Sequence, residues 1–505
     1  MSSVNLRFIN VSFSYNTTSE NIISSLSVHF CSGWTGIAGP NGAGKTTIAK
    51  LASGILIPSG GFIAGTPREL ISVYCRQETE FPPEFAKEFM NSSCNRSGEL
   101  KSLLGIGSNW LERWLTLSHG ERKRFQTGVS LWLEPHLLAL DEPTNHLDAG
   151  ARELILKALK TYRGTGLLIS HDRELLDALC SNTLFIRPGS AVMRPGGISS
   201  GLEQERIEEM NREREFKLAS AEFRRVRKSL NSLKQKENSR KESISKKNIS
   251  RNDHDAKSRV DLARLTGKDK TASRKVKLLE NRKESLKGEA ESKYFKARRI
   301  DGFTCTGERF RGDRILSVPQ GIITMSKERS LEIPELNILP GSRIGITGDN
   351  GTGKSTLLLH IRSLIKLPEE KVILIKQEIS RDEWAVTASA INMLSGSDKG
   401  ELLSVVHRLG SEPERVLETA MPSPGEIRKL ILGLGLLKTP SIIMMDEPTN
   451  HMDLPSIECI EEALSGFEGA LVLVSHDHRF LKKLITDEWH LSGVNGRTVL
   501  SSVLY

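Results

Sequence analysis

Two segments of the 505-residue sequence have the residue types and spacing that bind nucleotide phosphates. Both follow the pattern Gly-x-x-x-x-Gly-Lys-Ser/Thr, whose glycines let backbone N–H groups face phosphate oxygens at a helix N-terminus. The lysine of such a loop reaches the outer phosphates, and the hydroxyl after it suits Mg²⁺. The candidate residues are Gly39, Asn41, Gly42, Gly44, Lys45, Thr46 and Thr47 in the first copy, and Gly348, Asn350, Gly351, Gly353, Lys354, Ser355 and Thr356 in the second. Because each segment follows a β-rich apolar stretch and precedes a helical pattern, both are predicted to be P-loops.

An apolar run that ends in two carboxylates follows each loop. The acids are Asp141 and Glu142 in the first copy, and Asp446 and Glu447 in the second. A buried parallel strand reads as such a run, and it delivers its last residues to the sheet edge where ligands bind. Asp141 and Asp446 therefore suit Mg²⁺ through water, and the two glutamates suit polarisation of an attacking water.

A histidine closes a third repeated strand, as His171 in the first copy and His476 in the second. Each lies 305 residues from its counterpart, as do the two glutamates, and the two P-loop lysines lie 309 residues apart. This constant spacing predicts one structural unit that occurs twice. It also places both histidines among the catalytic candidates.

Composition is that of a globular protein, with 38% hydrophobic and 26% charged residues. We find no uninterrupted apolar run of the roughly 20 residues that a membrane span needs. The N-terminal sequence lacks the features of a secretory signal. The six cysteines are scattered singly, with neither metal-ligand spacing nor a disulfide framework. A soluble, cytoplasmic protein is therefore expected.

Basic charge is concentrated between the two repeats. Residues 203–299 contain 16 Lys and 14 Arg against 17 acidic residues, no proline and two glycines. Apolar residues at heptad-like spacing predict an antiparallel helical hairpin of coiled-coil type. The candidate RNA contacts near its tip are Lys246, Lys247, Arg251, Lys257 and Arg259. A solvated linker is the alternative interpretation of this charge run.

These motifs resemble those of the ATP-binding cassette superfamily, which combines a P-loop, a glutamine loop, a signature helix, an acidic strand and a histidine switch. The resemblance implies that Gln77 and Gln377 are the glutamine-loop residues, which contact nucleotide and metal. It assigns to the two signatures Ser118, Gly120 and Glu121, and Ser423, Gly425 and Glu426. Both signatures depart from the usual Ser-Gly-Gly, because His119 and Pro424 replace the first glycine. Pro424 is compatible with the start of a helix.

In that superfamily a signature serine approaches the nucleotide held by the opposite cassette. The resemblance thus implies two composite sites that hydrolyse ATP with Mg²⁺, one pairing Lys45 with Ser423 and the other Lys354 with Ser118. Tyr15 is the candidate for stacking on adenine in the first site, although it could equally be a core residue. Residues 321–335 contain no convincing aromatic counterpart for the second site.

Tandem cassettes, a long charged linker and Pro-Thr-Asn-His after each acidic strand resemble the ABC-F family. The resemblance implies an α/β fold with two tandem P-loop NTPase domains, 1–200 and 303–505, joined by an antiparallel helical hairpin at 201–302. Housekeeping members of that family often carry an extra arm between the glutamine loop and the signature of the first cassette. Gln77 and Ser118 lie 41 residues apart, and the corresponding residues of the second copy lie 46 apart, so this arm is expected to be missing. The chain ends 29 residues after His476, and the DNA-binding tail of another subgroup is likewise not expected.

The remaining pattern resembles the antibiotic-resistance members that protect ribosomes. Such members insert the linker through the tRNA exit site toward the peptidyl-transferase centre, near 23S rRNA and P-site tRNA. We expect a monomer without a membrane subunit. Three alternatives stay open: a general translation factor that relieves stalled ribosomes, a DNA-repair ATPase, and the motor of a transporter.

Overall fold

The computed structural model describes residues 5–15, 21–66, 70–145, 147–187, 189–243, 268–292, 305, 307–326, 329–411, 422–450, 452–494 and 497–504. The chain forms two compact units, one of Met1–Gly201 with Ile300–Tyr505 and the other of Leu202–Arg299. Both predicted nucleotide-binding domains belong to the first unit. The predicted limits of 1–200, 201–302 and 303–505 remain predictions.

The first domain is built on a largely parallel sheet. Its strands are β1 Asn5–Phe13, β2 Ile23–Phe30, β3 Gly33–Ala38, β4 Gly60–Thr66, β5 Ser72–Cys75, β6 Leu137–Asp141, β7 Thr165–Ile169, β8 Cys180–Arg187 and β9 Ser190–Pro195. Six of them form a sheet in the order β5-β6-β7-β3-β8-β9, in which only β9 pairs antiparallel to its neighbour. The other three form an antiparallel sheet in the order β2-β1-β4.

The second domain repeats the parallel core of this arrangement within an eight-stranded sheet, beside a two-stranded one. Its strands are β10 Leu316–Val318, β11 Gly321–Ser326, β12 Arg329–Ile333, β13 Leu336–Ile338, β14 Arg343–Gly348, β15 Val372–Ile375, β16 Ile442–Asp446, β17 Ala470–Val474, β18 Asp487–Val494 and β19 Arg497–Leu504. The parallel run β15-β16-β17-β14-β18 corresponds strand for strand to β5-β6-β7-β3-β8. The mixed α/β fold confirms the prediction from the repeated motifs.

Helices connect and cover these strands. In chain order they are α1 Lys45–Ala52, α2 Ala86–Asn91, α3 Asn95–Leu103, α4 His119–Trp132, α5 Ala149–Leu159, α6 Arg173–Leu179, α7 Ile198–Ser243, α8 Lys268–Ser292, α9 Lys354–Leu364, α10 Arg381–Asn392, α11 Gly396–Arg408, α12 Pro424–Leu436, α13 Leu454–Ser465 and α14 His478–Leu484. Single 3₁₀ turns occur at Trp114–Thr116 and Glu369–Lys371. No helix in the described part of the chain is both long and apolar enough to cross a bilayer.

The acidic strands β6 and β16 lie inside the two cores. All five residues of each strand are buried, and their sequences LLALD and IIMMD show why. Both faces of a parallel strand are covered by helices, so a continuous apolar run is stable only there. Because parallel strands end at one edge, β3, β6 and β7 bring a P-loop, two acids and a histidine together.

Two helices make up the described part of the second unit. Ala219, Val226 and Leu230 of α7 are buried, as is Leu286 of α8, in agreement with the heptad-like spacing. Charged pairs flank this seam: Arg282 Nη2 lies 2.7 Å from Glu222 Oε1, and Lys234 Nζ lies 2.5 Å from Glu280 Oε1. The five predicted RNA contacts between Lys246 and Arg259 fall outside the described residues.

Shortening a side chain within β6 should destabilise the first domain. Leu138 is 0% exposed, and Leu138→Ala should lower the free energy of unfolding by about 2–5 kcal/mol because it leaves a cavity. Urea unfolding followed by tryptophan fluorescence measures the change. Leu115, which is 86% exposed, is the control, and Leu115→Ala should stay within about 0.5 kcal/mol. Equal effects of the two substitutions would contradict the assigned burial of β6.

Candidate nucleotide sites

Each P-loop links a central strand to the helix that follows. Gly39 directly follows β3, and Gly348 is the last residue of β14. Each lies so close to a neighbouring strand that a Cβ atom would be 2.4 Å from Ile186 O or 2.3 Å from Leu491 O. Only glycine fits there. The lysine side chains fold back into their own loops, where Lys45 Nζ donates to Gly39 O at 2.8 Å and Lys354 Nζ donates to Gly348 O at 2.8 Å. Each ammonium group is thus held by two backbone carbonyl groups of its own loop.

The hydroxyl after each lysine contacts the first acid of the neighbouring strand. Thr46 Oγ1 donates to Asp141 Oδ2 at 2.8 Å, and Ser355 forms the equivalent hydrogen bond to Asp446. Asp446 Oδ1 is buried and accepts no hydrogen bond from the described residues. A hydroxyl beside a carboxylate with a free oxygen fits Mg²⁺, which takes few protein ligands and completes its shell with phosphate and water.

Glu142 and Glu447 occupy an unusual backbone position. Both have φ of 47°, a left-handed conformation that side-chain-bearing residues seldom adopt. Their N–H groups donate to the adjacent strand, Glu142 to Ile169 O at 2.9 Å and Glu447 to Val474 O at 2.8 Å. These bonds fix the turn by which each glutamate leaves its strand. Strain that recurs at equivalent positions of two domains marks a site where side-chain direction matters.

Each glutamate faces its predicted histidine. His171 Nε2 lies 3.4 Å from Glu142 Oε1, and His476 Nε2 lies 3.6 Å from Glu447 Oε1. The backbone N–H group of each histidine donates to the other carboxylate oxygen, from His171 to Glu142 Oε2 at 3.4 Å and from His476 to Glu447 Oε2 at 3.3 Å. The structure therefore brings Lys45, Thr46, Asp141, Glu142 and His171 together, which we call site A. It likewise brings Lys354, Ser355, Asp446, Glu447 and His476 together, which we call site B.

Burial sets the protonation of these groups. It raises the pKa of Glu142 to about 8, with Asp141 adding to the effect, and that of Glu447 to about 7. Burial together with the nearby P-loop lysine lowers the pKa of His171 and of His476 to about 3. Both histidines are therefore neutral near pH 7, and both glutamates have the basicity of a general base matched to neutral pH.

The signature serines cap their helices. Ser118 precedes α4 and Ser423 precedes α12, and each hydroxyl accepts the N–H of the glutamate three residues on, at 3.2 and 3.4 Å. Glu121 and Glu426 return the bond by accepting the serine N–H at 2.8 Å. Pro424 occupies the first helical position, where its missing N–H costs nothing.

The cavity at site A includes residues from both domains. It has a volume of about 500 Å³. Its lining includes predicted site residues of the first domain and two signature residues of the second, namely Asn41, Gly42, Gly44, Lys45, Thr46, Thr47, Gln77, Asp141, Glu142, His171, Ser423 and Pro424. Gly425 and Glu426 follow in α12 but do not line it.

Site B is arranged differently. Its cavity of about 570 Å³ is lined by Asn350, Gly351, Gly353, Lys354, Ser355, Thr356, Gln377, Asp446, Glu447 and His476. A separate cavity of about 220 Å³ contains the signature residues Ser118, Gly120 and Glu121 together with Asn350 of the P-loop. The first signature thus faces the second P-loop, but it does not share the main cavity of site B.

Several polar contacts join the two domains directly. Asn41 N donates to Asp453 Oδ2 at 2.9 Å, and Arg152 Nη2 donates to His476 O at 3.2 Å. Arg173 pairs with the buried carboxylate of Glu461. Asp453 ends the second copy of a repeated Pro-Thr-Asn-His-x-Asp segment, at 143–148 and 448–453. The repetition marks this residue, but it does not by itself indicate a contact between the domains.

The residues near the expected position of the adenine ring differ between the two sites. Tyr15 packs edge-on against Phe13 at 5.0 Å, and its hydroxyl lies 3.4 Å from Thr47 Oγ1, but it does not line the cavity of site A. Its role in adenine stacking stays a prediction. At site B, Met325 and Arg329 line the cavity. Neither is aromatic, so the expectation of an aromatic residue in this segment did not predict them.

The comparisons with known proteins agree with this architecture. A family model described as ABC transporter matches residues 24–145 and 331–450, which span both P-loops and both acidic strands. Among solved structures, the chain resembles the archaeal ribosome recycling factor aABCE1 in its complex with the ribosomal stalk protein aP1. The TM-score is 0.61 at 20% identity, over 97% of this chain and 89% of that one. This likeness shows the shared fold.

Sequence relatives cover most of the chain. The ribosome protection protein VmlR of Bacillus subtilis (strain 168) is 29% identical over 458 residues, 89% of this chain and 80% of VmlR. The probable ATP-binding protein YheS of Escherichia coli (strain K12) is 28% identical over 516 residues, 90% of this chain and 74% of YheS. The tylosin resistance ATP-binding protein TlrC of Streptomyces fradiae is 29% identical over 385 residues, 72% of this chain and 66% of TlrC.

Removing the two buried carboxyl groups should stabilise the nucleotide-free protein in a pH-dependent way. A carboxyl whose pKa rises from 4.5 to about 7 or 8 on folding must take up a proton, so its contribution to stability falls as pH increases through that window. Glutamine carries no such penalty. The melting temperature of the Glu142→Gln, Glu447→Gln variant, measured with EDTA at about pH 5, 7 and 9, should exceed that of the parent by a margin that grows with pH. The exposed-site variant Glu112→Gln is the control, and a margin independent of pH would contradict the prediction.

Proposed function

Because this chain belongs to the ABC-F family of tandem ATP-binding cassette ATPases, we propose that it is a ribosome-binding ATPase that protects ribosomes from large-subunit antibiotics. Binding of ATP would close the two domains and insert the linker through the tRNA exit site toward the peptidyl-transferase centre. There the linker would meet 23S rRNA and P-site tRNA. The names of two relatives support this proposal, since VmlR is a ribosome protection protein and TlrC a tylosin resistance protein. The protein would act in the cytoplasm, as a monomer without a membrane subunit.

The main support for the proposed ATPase activity is the cavity of site A, which both domains line. Lys45 and Glu142 of the first domain and Ser423 of the second line the same cavity. ATP held by the P-loop would then lie against the N-terminus of α12, whose N–H groups favour negative charge. Site B would be completed in the same way when Ser118 closes on the P-loop of the second domain.

The chain's own residues would perform hydrolysis in three ways. Lys45 and Lys354 would exchange their bonds to loop carbonyls for bonds to the outer phosphates. Glu142 and Glu447 would accept the proton of the attacking water, and the raised pKa of each carboxyl makes it a suitable base near neutral pH. Neutral His171 and His476 would hold these carboxylates in place.

Metal and glutamine-loop roles follow from the same geometry. Thr46, Asp141 and Gln77 would hold Mg²⁺ at site A, and Ser355, Asp446 and Gln377 at site B. When bound, Mg²⁺ neutralises charge on the phosphates and on the leaving group. Hydrolysis would convert ATP and water to ADP and inorganic phosphate, and departure of that phosphate would remove the negative group that both domains contact. The domains would then open, and the protein would leave the ribosome.

Charge on the linker supports an RNA partner. On α7, Arg224, Arg225, Arg227 and Lys228 are all exposed. Exposed cations along a helix neutralise phosphates without reading a base sequence. We propose that Lys246, Lys247, Arg251, Lys257 and Arg259 continue this contact at the tip.

A general translation factor is a second candidate. YheS, 28% identical over 90% of this chain, is named only as a probable ATP-binding protein. A role in relieving stalled ribosomes would use the same ATPase cycle and the same binding site. It would be recognised by rescue of stalled translation in the absence of any drug.

Blocking hydrolysis should trap the protein on ribosomes. The Glu142→Gln, Glu447→Gln variant should lose ATP turnover by about 100-fold or more, yet keep ATP binding, because only the base is removed. It should then sediment with purified ribosomes in the presence of ATP and Mg²⁺ but not without ATP. The exposed-site variant Glu112→Gln is the control. ATP binding without pelleting would contradict the ribosomal proposal, and displacement by duplex DNA would favour a DNA-repair role.

Expression in a susceptible bacterium should raise the inhibitory concentration of at least one antibiotic of the large ribosomal subunit. The expected rise is about fourfold or more, and it should vanish with the Lys45→Ala, Lys354→Ala variant, which lacks both P-loop cations. Susceptibility to a small-subunit drug is the internal control and should not change. No change with any large-subunit antibiotic would sink the protection proposal and leave the ATPase proposal standing.

A further inference from the structure

Two buried cations occupy equivalent positions in the signature helices. Lys123 in α4 and Arg428 in α12 each lie five residues after the signature serine, and they are 0% and 1% exposed. Burying a positive charge is costly unless surrounding dipoles or charges compensate it. The ATPase cycle proposed above assigns neither residue a role, although the chain has such a residue in both domains.

Lys123 binds the backbone of two other motifs. Its Nζ donates to Arg76 O at 2.6 Å and to Gln77 O at 3.2 Å, both in the glutamine loop. The same atom lies 3.4 Å from Asp141 O, at the end of the acidic strand. One ammonium group therefore connects the signature helix to the two segments that would sense the nucleotide of site A.

Arg428 makes the corresponding contacts in the second domain. Its guanidinium donates to Gln377 O in the glutamine loop, to Glu447 O at 3.4 Å and to Asn450 O. Lysine and arginine differ in shape and donor number, yet both reach a glutamine-loop carbonyl and a carbonyl at the end of the acidic strand, that of its last residue Asp141 or that of Glu447, the residue directly after it. The two domains thus share a buried cation that joins the signature helix to the glutamine loop, although the side chain that provides it differs.

The next residue of each helix provides a contrast. Arg124 donates to Leu104 O, and Lys429 donates to the hydroxyls of Ser411 and Ser456. The groups that these two cations contact lie outside the glutamine loop. A buried cation in this part of the fold therefore does not contact the nucleotide-sensing loops merely by being there.

We propose that Lys123 and Arg428 are positioning residues that couple the two ATP sites. The signature serine of α4 would serve site B, whereas the glutamine loop that Lys123 holds belongs to site A. A shift of that loop on ATP binding would move α4 through Lys123 and so align Ser118 at the opposite site. Arg428 would carry the reverse signal from site B to Ser423. This inference rests on the composite sites of the proposed function.

Hydrogen–deuterium exchange tests the coupling without depending on turnover. In the Glu142→Gln, Glu447→Gln background, ATP with Mg²⁺ should protect peptides that cover residues 39–47 and 118–124. Adding Lys123→Met should leave P-loop protection intact and reduce signature protection about tenfold, the effect of losing one charge-assisted hydrogen bond. Lys123→Arg, which keeps a buried cation, should restore it. Unchanged signature protection in Lys123→Met would overturn the inference.

Controls separate coupling from packing. Thr127 is a buried residue of α4 whose Oγ1 bonds Lys123 O, and Thr127→Val should behave like the parent. If it lost signature protection equally, α4 packing and not the cation would be responsible, which would also overturn the inference. Should Lys123→Met fail to fold, Arg428→Met repeats the test on peptide 423–429, with Arg428→Lys as the conservative variant. A parent that binds ATP without any protection at the signatures would instead refute the composite sites themselves.

A kinetic readout complements the exchange data. In the otherwise unaltered protein, the Lys123→Met, Arg428→Met variant, which removes both links, should lower kcat for ATP about tenfold and leave KM within about twofold, because P-loop binding is retained while alignment is lost at both sites. A rise in KM with unchanged kcat would indicate a role in nucleotide binding and would contradict the proposal.

Discussion

Both sites depend on one constraint: a glutamate carboxyl group must stay buried directly after a buried strand. Glu142 and Glu447 are 9% and 4% exposed, and each leaves its strand through a left-handed turn. Neither feature is stable alone, because burial opposes the charge and the turn strains the backbone. The neighbouring strand fixes the turn by a backbone hydrogen bond, and a histidine fixes the carboxylate. The parallel sheet is therefore the scaffold that holds a carboxylate of raised basicity at this edge.

The two domains repeat the scaffold but not its surroundings. His476 Nε2 lies 3.1 Å from Asn350 Oδ1, so at site B the histidine faces its own P-loop as well as its glutamate. At site A, the P-loop N–H of Asn41 is bonded to Asp453 of the opposite domain. Arg173 adds an ion pair with Glu461, whereas the equivalents of these two residues are His478 and Leu156, which cannot form one. Differences between the sites thus arise at the domain boundary, although the catalytic groups are alike.

Most of the fold and of the site could be predicted because repeated motifs report local backbone requirements. A P-loop needs its glycines, a buried parallel strand needs an apolar run, and the acids must follow that strand. Contacts between the domains could not be predicted in the same way. Asp453 and its counterpart Asp148 each end a Pro-Thr-Asn-His-x-Asp segment, but only packing of the two domains brings Asp453 to Asn41. Met325 and Arg329 were missed because a wall for a base need not be aromatic, and Lys123 because one lysine in a charged helix looks like a surface residue.

The altered signatures show which part of that motif the structure needs. His119 and Pro424 replace a glycine, yet both helices begin with the same reciprocal bond between a serine and the glutamate three residues on. This cap fixes the direction of the first N–H groups, and those groups supply the positive potential at a helix start. A first helical position has no intrahelical use for its N–H, so proline is compatible with it. The helix terminus is therefore preserved in both domains, and any inequality between the sites must come from the residues that surround it.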